Sequence, residues 1–570
     1  MFDLLIRGGL LVDGTGLAPR LLDVGIKAGR IASVGRLADA EAATVFEAKG
    51  LVVAPGIVDI HTHYDPQLTW DPICDTSALH GVTTVATGNC GFSVAPCRAV
   101  DRDFTAQLFA RVEGMGLEAL GNVDWQHESF EEFLDSLQGR LGLNVGVYIG
   151  HSAIRYWVMG EQAYQRQATN DEIQQMAEML DRAMVAGALG LSTSQAPTHI
   201  DSLDRPAPSR LASAAELRCL ADVLGRYGRG SFACAPESAV EGVSDQDRDF
   251  MIELAKRSGV PVVIQGLGGR SKIDAPTQAW QEAEAFLDRS AALGAPVYSL
   301  LMTRPVSGPF TLRKGSSRYE GVPLWQQLMQ MNVEQRQQLI ADDAHRSLLR
   351  DAIDSPNKDP AIGSTLPPPH WGTMKLAVSS AEKNQKFVGR TIGDIADELG
   401  RHPTDVMFDI ALADDLNAVF HWSNESPEWR KLLVDVQKHP QMILGVSDGG
   451  AHLDRDDGAA WSTHFLETWW REEKVWRLEE AIRMITSVPA ALCGLQDRGI
   501  VKPGFAADLF LFDPEKIALA SCDMEKDSIT GLERFRAVPT GIAATIVNGE
   551  VVIDNGQDTG ARPGVIVKPG

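Results

Sequence analysis

Short apolar runs recur through the middle of the chain, and longer stretches with apolar residues every three or four positions fall between them. The short runs are Gly56 to Ile60, Val82 to Ala86, Asn144 to Ile149, Ala188 to Leu191, Ser231 to Ala233, Pro261 to Ile264, Pro296 to Leu301 and Met442 to Val446. Continuous apolar runs of that length suit strands buried on both faces, and the 3.6-residue spacing between them, as in Asn170 to Ala186 and Asp245 to Ser258, suits amphipathic helices. Eight such strands with outer helices predict a parallel (β/α)₈ barrel. The two ends of the chain follow another pattern. Leu4 to Ile6, Leu21 to Ile26, Ile31 to Val34 and Leu51 to Val53 are β-type runs divided by Gly and Asp-Gly turns. Asp508 to Phe512, Ala543 to Val547 and Val551 to Ile553, with an Asn548-Gly549 hairpin turn, return to that style. The expected organisation is therefore a small β domain from residues 1–54 and 491–570 around a barrel from 55–490. Residues from about 302 to 441 form an insertion before the last barrel strand, helical in patches and Pro-rich at Pro367 to Pro369, of the kind that covers or shapes a site.

Composition narrows the function. The 570 residues are 44% hydrophobic and 23% charged, enough apolar content for a sizeable core. Lys and Arg number 53 against 76 Asp and Glu, a net charge of −23 that repels phosphate backbones and anionic lipid, so neither nucleic acid nor a membrane is an expected partner. A small-molecule substrate is expected instead, with a homo-oligomer left open. The first residues carry Asp3 and no basic segment before an apolar run, unlike a signal peptide, and no apolar run approaches the ~18 residues of a membrane span. The seven cysteines are scattered without a Cys-x-x-Cys pair, which suits a reducing cytoplasm.

Chemistry in such a barrel is expected at the C-terminal strand ends. The first strand runs into Asp59-Ile-His61-Thr-His63, where two histidines at i and i+2 on an extended segment face one side and can share a metal ion. The second ends at Gly88-Asn-Cys90-Gly, a thiol placed to become a thiolate ligand. The eighth ends at Ser447-Asp448-Gly449, a carboxylate able to ligate through one oxygen and accept a proton on the other. Glu237, after the fifth strand, is a further oxygen donor. His151 and Arg155 after the third strand, and His452 after the eighth, are candidates for the substrate pocket, and Trp422 and Trp461 for its walls. The nucleophile-elbow, P-loop, dinucleotide and His-Glu-x-x-His patterns are absent from the sequence.

The chain resembles the amidohydrolase superfamily, and within it the N-acyl-D-amino-acid deacylase (D-aminoacylase) branch, through nearly its whole length. The resemblance is carried by Asp3-Leu-Leu-Ile-Arg-Gly-Gly, Val12-Asp-Gly-Thr-Gly16, Ala54-Pro-Gly-Ile-Val-Asp-Ile-His-Thr-His-Tyr-Asp65, Gly81-Val-Thr-Thr, Gly88-Asn-Cys-Gly-Phe-Ser93, Gly187-Ala-Leu-Gly-Leu-Ser-Thr193, Phe387-Val-Gly-Arg390, Ser447-Asp-Gly449 and Val501-Lys-Pro-Gly-Phe-Ala-Ala-Asp508. It implies a metal-dependent barrel, zinc as the metal and hydrolysis of a non-peptide C–N bond. That family places a histidine after the fifth strand in Tyr-Ala-Thr-His and another after the sixth in Ser-His-His-Lys, both beside the cysteine. Here the stretches read Phe232-Ala-Cys-Ala235-Pro-Glu237 and Ile264-Gln265-Gly266-Leu-Gly268, so Ala235 and Gly266 stand in place of two imidazoles and the lysine has no counterpart. The expectation is one divalent ion per chain, held by His61, His63 and Asp448 with help from Cys90, and none held tightly at the cysteine unless Glu237 or Gln265 contributes. A metal-bound hydroxide with Asp448 as general base would then cleave an amide. A metal-dependent lyase or decarboxylase on the same scaffold, and a non-catalytic binding protein, remain the alternatives.

Overall fold

The computed structural model of the chain describes residues 1–37, 39–239, 242–267, 276–319, 321–355, 370–527 and 529–570. Gly268 and Pro367 to Pro369, singled out above, lie outside the described residues. Each of the eight short apolar runs contributes a strand to one closed ring. Ile57–Asp59 pairs with Val82–Thr87, which pairs with Asn144–Val147. The third strand continues as Ile149–Gly150, and pairing then passes through Gly190–Ser194, Ser231–Ala235, Val262–Ile264 and Val297–Leu300 to Met442–Ile443. The eighth strand resumes at Val446–Gly449 and pairs with His61–Thr62, the resumed first strand, which closes the barrel. Every pairing is parallel.

Alternation along the strands sorts their side chains. Val58, Ile60, Ala86, Tyr148, Leu189, Ala233, Val263 and Ile443 fill the barrel interior, together with Leu492, Leu495 and Val567. Neighbours such as Ile57, Val82, Val85, Val145, Val147 and Phe232 point outward into the largest core, against the surrounding helices. Those helices have defined ends. Asn170–Ala186 starts with a capping box between Thr169 and Glu172 and stops at Gly187, whose φ of 114° a side chain would resist. Asp245–Ser258 is capped by the Ser244 side chain.

Both ends of the chain build a nine-stranded sheet. Val52–Pro55 lies between Phe2–Leu11 on one side and Leu509–Phe512 on the other, and joins the two halves. Two features of the C-terminal region have no counterpart in the sequence pattern. An antiparallel hairpin, Ala518–Lys526 with Glu533–Thr540, reaches the loop after the eighth barrel strand, where Phe535 N donates to Leu453 O at 2.7 Å and Ala537 N to Asp457 Oδ2 at 2.9 Å. The last residues then run under the barrel, with Val145 N donating to Val565 O at 3.0 Å and Val567 N to Val145 O at 2.9 Å.

The insertion is more than helical patches. Val419–Ser423 is the middle strand of an antiparallel three-stranded sheet with Ser307–Thr311 and Lys375–Val378. Helices including Pro323–Gln330, Asp343–Asp354 and Pro403–Ala413 close over it, around a separate core of Phe310, Tyr319, Trp325, Leu349, Phe408, Phe420 and Trp422. Trp422 therefore belongs to the core of this lobe. The buried Arg304 guanidinium, in the connection leading to the lobe, grips Asp456 through two hydrogen bonds of 2.7 and 2.6 Å, holding the same loop that the hairpin touches. Among the described residues, no helix is long and apolar enough to cross a membrane.

Candidate metal centre

Barrel closure assembles the site. Ile60 N donates to Gly445 O at 2.8 Å and His63 N to Gly449 O at 2.7 Å, which sets the first and eighth strand ends side by side. His61 and His63 consequently meet Asp448, whose Oδ1 lies 3.4 Å from His61 Nε2 and 3.1 Å from His63 Nε2. The second strand end is fastened to the first. Asn89 Nδ2 donates to Thr62 O at 3.1 Å and Ala86 O at 3.0 Å, and the buried Asp65 carboxylate accepts from Gly88 N at 3.0 Å and from the Thr87 hydroxyl. This turn brings Cys90 Sγ within 3.8 Å of His61 Nε2 and 4.0 Å of His63 Nε2. Cys90, Asp448 and His452 have φ values of 56°, 59° and 56°, left-handed backbone at three non-glycine positions around this cluster. Such conformations persist where the surroundings over-determine them, as they do around functional groups.

The groups converge as ligands would. Ligand atoms of His61, His63 and Cys90 all lie within 4.8 Å of one another, as do those of His63, Glu113 and Asp448. Two of the buried atoms, His63 Nδ1 and Glu113 Oε1, have no hydrogen-bond partner. Two imidazoles, a thiol and carboxylates are the donor set of a zinc-type ion, so the residues fit a divalent metal. Burial pushes the Cys90 thiol up, with the Glu113 and Asp448 charges adding to it, and burial lowers the His63 pKa. Glu113 is pushed well above the usual carboxylate range by burial and by the Asp448 and Asp65 charges. Burial also acts on Asp448, but hydrogen bonds from His61 and His63 outweigh it and hold that carboxyl well below its ordinary range. A divalent cation among these groups would favour both the thiolate and the carboxylates. Beneath them Asp59, raised to about 7 by burial, accepts from Trp461 Nε1 at 3.1 Å and from His61 N and Ser447 N at 3.3 Å each. Trp461 is thus a support under the site.

Gln265 occupies the cysteine side of the cluster. Its Oε1 lies 3.2 Å from Cys90 Sγ and its Nε2 2.9 Å from His61 Nδ1. Turned by 180°, the amide makes the same contacts with its oxygen accepting Nδ1–H and its nitrogen donating to a cysteine thiolate, the orientation that leaves His61 Nε2 free for a metal.

The other sequence candidates lie apart from this cluster, with one exception. Glu237 is exposed, where its charge acts on Arg210. Glu113, from the crossover after the second strand and without any local motif, brings a further carboxylate beside His63. His151 and Arg155 are fully buried on the helix His151–Met159. There Glu216 takes His151 Nε2 at 2.8 Å and Arg155 Nη1 at 2.5 Å, while His151 Nδ1 meets Thr193 Oγ1 at 2.8 Å. Both side chains are committed to an internal ion-pair cluster. His452 is the exception, its Nε2 3.8 Å from Asp448 Oδ2.

Comparison with known proteins agrees with this geometry. The amidohydrolase family profile matches residues 44–553. The chain is similar to the D-aminoacylase of Alcaligenes xylosoxydans xylosoxydans, 28% identical over 99% of this chain and 97% of that one. It is also similar to an uncharacterized protein of Mycobacterium tuberculosis, 30% identical over 98% of this chain and 92% of its relative. Among solved structures, a D-aminoacylase studied for its binuclear metal centre, with one-metal activation and second-metal attenuation, superposes with a TM-score of 0.62 at 26% identity over the whole of both chains. The L-hydantoinase of Arthrobacter aurescens, at 15% identity and a TM-score of 0.54 over the whole of both chains, shares the fold. The chain belongs to the amidohydrolase family, in its D-aminoacylase branch, and is a hydrolase of carbon–nitrogen bonds other than peptide bonds.

Proposed function

We propose that the protein deacylates N-acyl-D-amino acids with a single divalent ion, zinc by preference, held by His61, His63 and Asp448 with Cys90 alongside. The observation that carries this reading is the meeting of those four side chains at the mouth of the barrel, together with the neutral Gln265 amide on the cysteine. An amide is a poor substitute for an imidazole, and Ala235 offers no donor, so the cysteine position lacks the three or four ligands a firmly held ion needs. The relatives' activities support the substrate class: D-aminoacylase, N-acyl-D-aspartate deacylase and N-acyl-D-glutamate deacylase match nearly the full chain.

When bound, the ion supplies a Lewis acid that polarises the amide carbonyl and makes water acidic enough to attack at neutral pH. Asp448 would take the proton from the attacking water. It suits this role because it lies a third exposed at the strand end and its second oxygen, beside His452, is not the one that faces His61 and His63. The same carboxyl then returns the proton to the departing amine nitrogen. His452, beside the second Asp448 oxygen, orients the carboxyl during both transfers. The test is elemental analysis of the purified chain after zinc or cobalt loading, followed by a screen of N-acetyl-D- and L-amino acids with mass detection of both products. One ion per chain with release of free D-amino acid is the expected result. Two firmly held ions, or loss of carbon dioxide from the substrate, would refute it.

A further inference from the structure

Glu113 has no part in the proton transfers above, yet its position is specific. It follows the helix Arg102–Val112 and is only 2% exposed, with Oε1 3.3 Å from His63 Nδ1. The contact is an ion pair that falls short of hydrogen-bond geometry, and both buried atoms are without any other hydrogen-bond partner. The opposite ring nitrogen of His63, Nε2, faces Asp448 Oδ1 at 3.1 Å and Cys90 Sγ at 4.0 Å. The Glu113 backbone carbonyl also accepts from His452 N at 2.6 Å, which ties this residue to the loop following Asp448. The neighbouring acid Asp65 is already engaged by Gly88 N and the Thr87 hydroxyl.

Resting on the single-ion reading, we infer that Glu113 is a positioning residue for the ion, taking the Nδ1–H of His63 so that Nε2 is the nitrogen left to ligate. A neutral imidazole carries its proton on one nitrogen only, and a carboxylate at Nδ1 decides which. A ligating histidine commonly gives its second N–H to a carboxylate, which fixes the ring and raises its basicity. Burying a lone carboxylate is costly, whereas a carboxylate that receives an N–H from a ring attached to a cation is compensated. The arrangement answers the missing imidazoles. With Ala235 and Gly266 in place of two ligands, Glu113 adds negative charge next to the remaining set without occupying a coordination position. Its backbone bond to His452 places the support for the first-strand histidine and the eighth-strand loop on one residue.

The test is Glu113→Gln in the full chain loaded with Co²⁺, with apparent affinity measured by chelator competition, the visible cobalt spectrum recorded and melting of the metal-free protein followed. The expected result is a 10–100-fold loss of cobalt affinity with an unchanged coordination number. The metal-free variant should melt no lower than the parent, because an amide of the same shape replaces a buried side chain whose Oε1 makes no hydrogen bond there. Glu113→Asp keeps the charge one methylene further from His63, so it recovers part of the lost affinity. If the glutamine variant fails to fold, the aspartate variant alone carries the test, with a loss of at least threefold expected. Parental affinity in either variant overturns the inference, as does a changed coordination number, which would make Glu113 a ligand itself. A parent chain that takes up no cobalt refutes the single-ion reading instead, a result distinct from parent and variant binding it equally.

Discussion

Replacing Asp448 by asparagine isolates the proton acceptor from everything else the residue does. Asp448 has a φ of 59°, a conformation that asparagine tolerates nearly as well as aspartate, so the backbone of the eighth-strand end should not move. The amide oxygen of the variant can still accept from one of the two imidazoles that now lie 3.1 and 3.4 Å from Oδ1. What is lost is the charge and the basicity. A positioned general base contributes about 10²–10⁴-fold, so kcat on whichever N-acyl-D-amino acid the parent hydrolyses should fall by ~10²–10⁴-fold, about 3–5 kcal/mol of barrier. The metal-free melting temperature should stay within a few degrees of the parent. Asp448→Ala is the control: it loses the same base and adds the strain of alanine at positive φ, on the order of 1 kcal/mol, so it should be equally inactive and less stable. Steady-state kinetics with cobalt held saturating, alongside thermal denaturation, separate these effects. Activity of Asp448→Asn within about tenfold of the parent would refute the assignment of the base.

Three further outcomes follow from the same geometry. Cys90→Ala should lower metal occupancy on dialysis, because the thiol stands 3.8 Å from His61 Nε2 and 4.0 Å from His63 Nε2; unchanged occupancy would reduce Cys90 to a packing residue. Glu216→Gln leaves Arg155 buried without its counter-charge and should cost ~3–5 kcal/mol in urea unfolding with KM unaltered; a raised KM in a variant of parental stability would return His151 and Arg155 to the substrate pocket. In metal-free protein, Asp59, with its folded pKa near 7 against 3.8, keeps a proton that the unfolded chain releases, so its contribution is present below about pH 4 and is lost as pH rises to about 7. Asp59→Asn should remove that fall, worth at most ~4 kcal/mol, and unfolding free energies that run parallel to the parent's from pH 4 to 7 would refute it.

The barrel could be read from the sequence because most of its strands are buried on both faces. A buried parallel strand must be a short continuous apolar run, and a covering helix must repeat at 3.6 residues, so all eight strand positions and the helices Asn170–Ala186 and Asp245–Ser258 show locally. His61, His63, Cys90 and Asp448 showed for a related reason: polar residues directly after buried strands have few structural uses, and in this fold strand ends open onto the site. Their meeting is a property of closure, made when Val446–Gly449 pairs with His61–Thr62 across nearly four hundred residues of chain. The remaining features depend on partners that no local pattern announces. Glu113 reads as an ordinary acid after a helix until the crossover carries it to His63, and Glu237 reads as a ligand until the fifth-strand turn leaves it exposed. His151 and Arg155 follow a strand as true pocket residues would, yet a carboxylate from the helix Ala214–Tyr227 claims both. The insertion's separate core and the hairpin at Ala518–Lys526 are likewise products of docking. Periodicity along a chain records which face of an element is buried; which other element buries it, and which charge waits there, is decided only when distant segments pack.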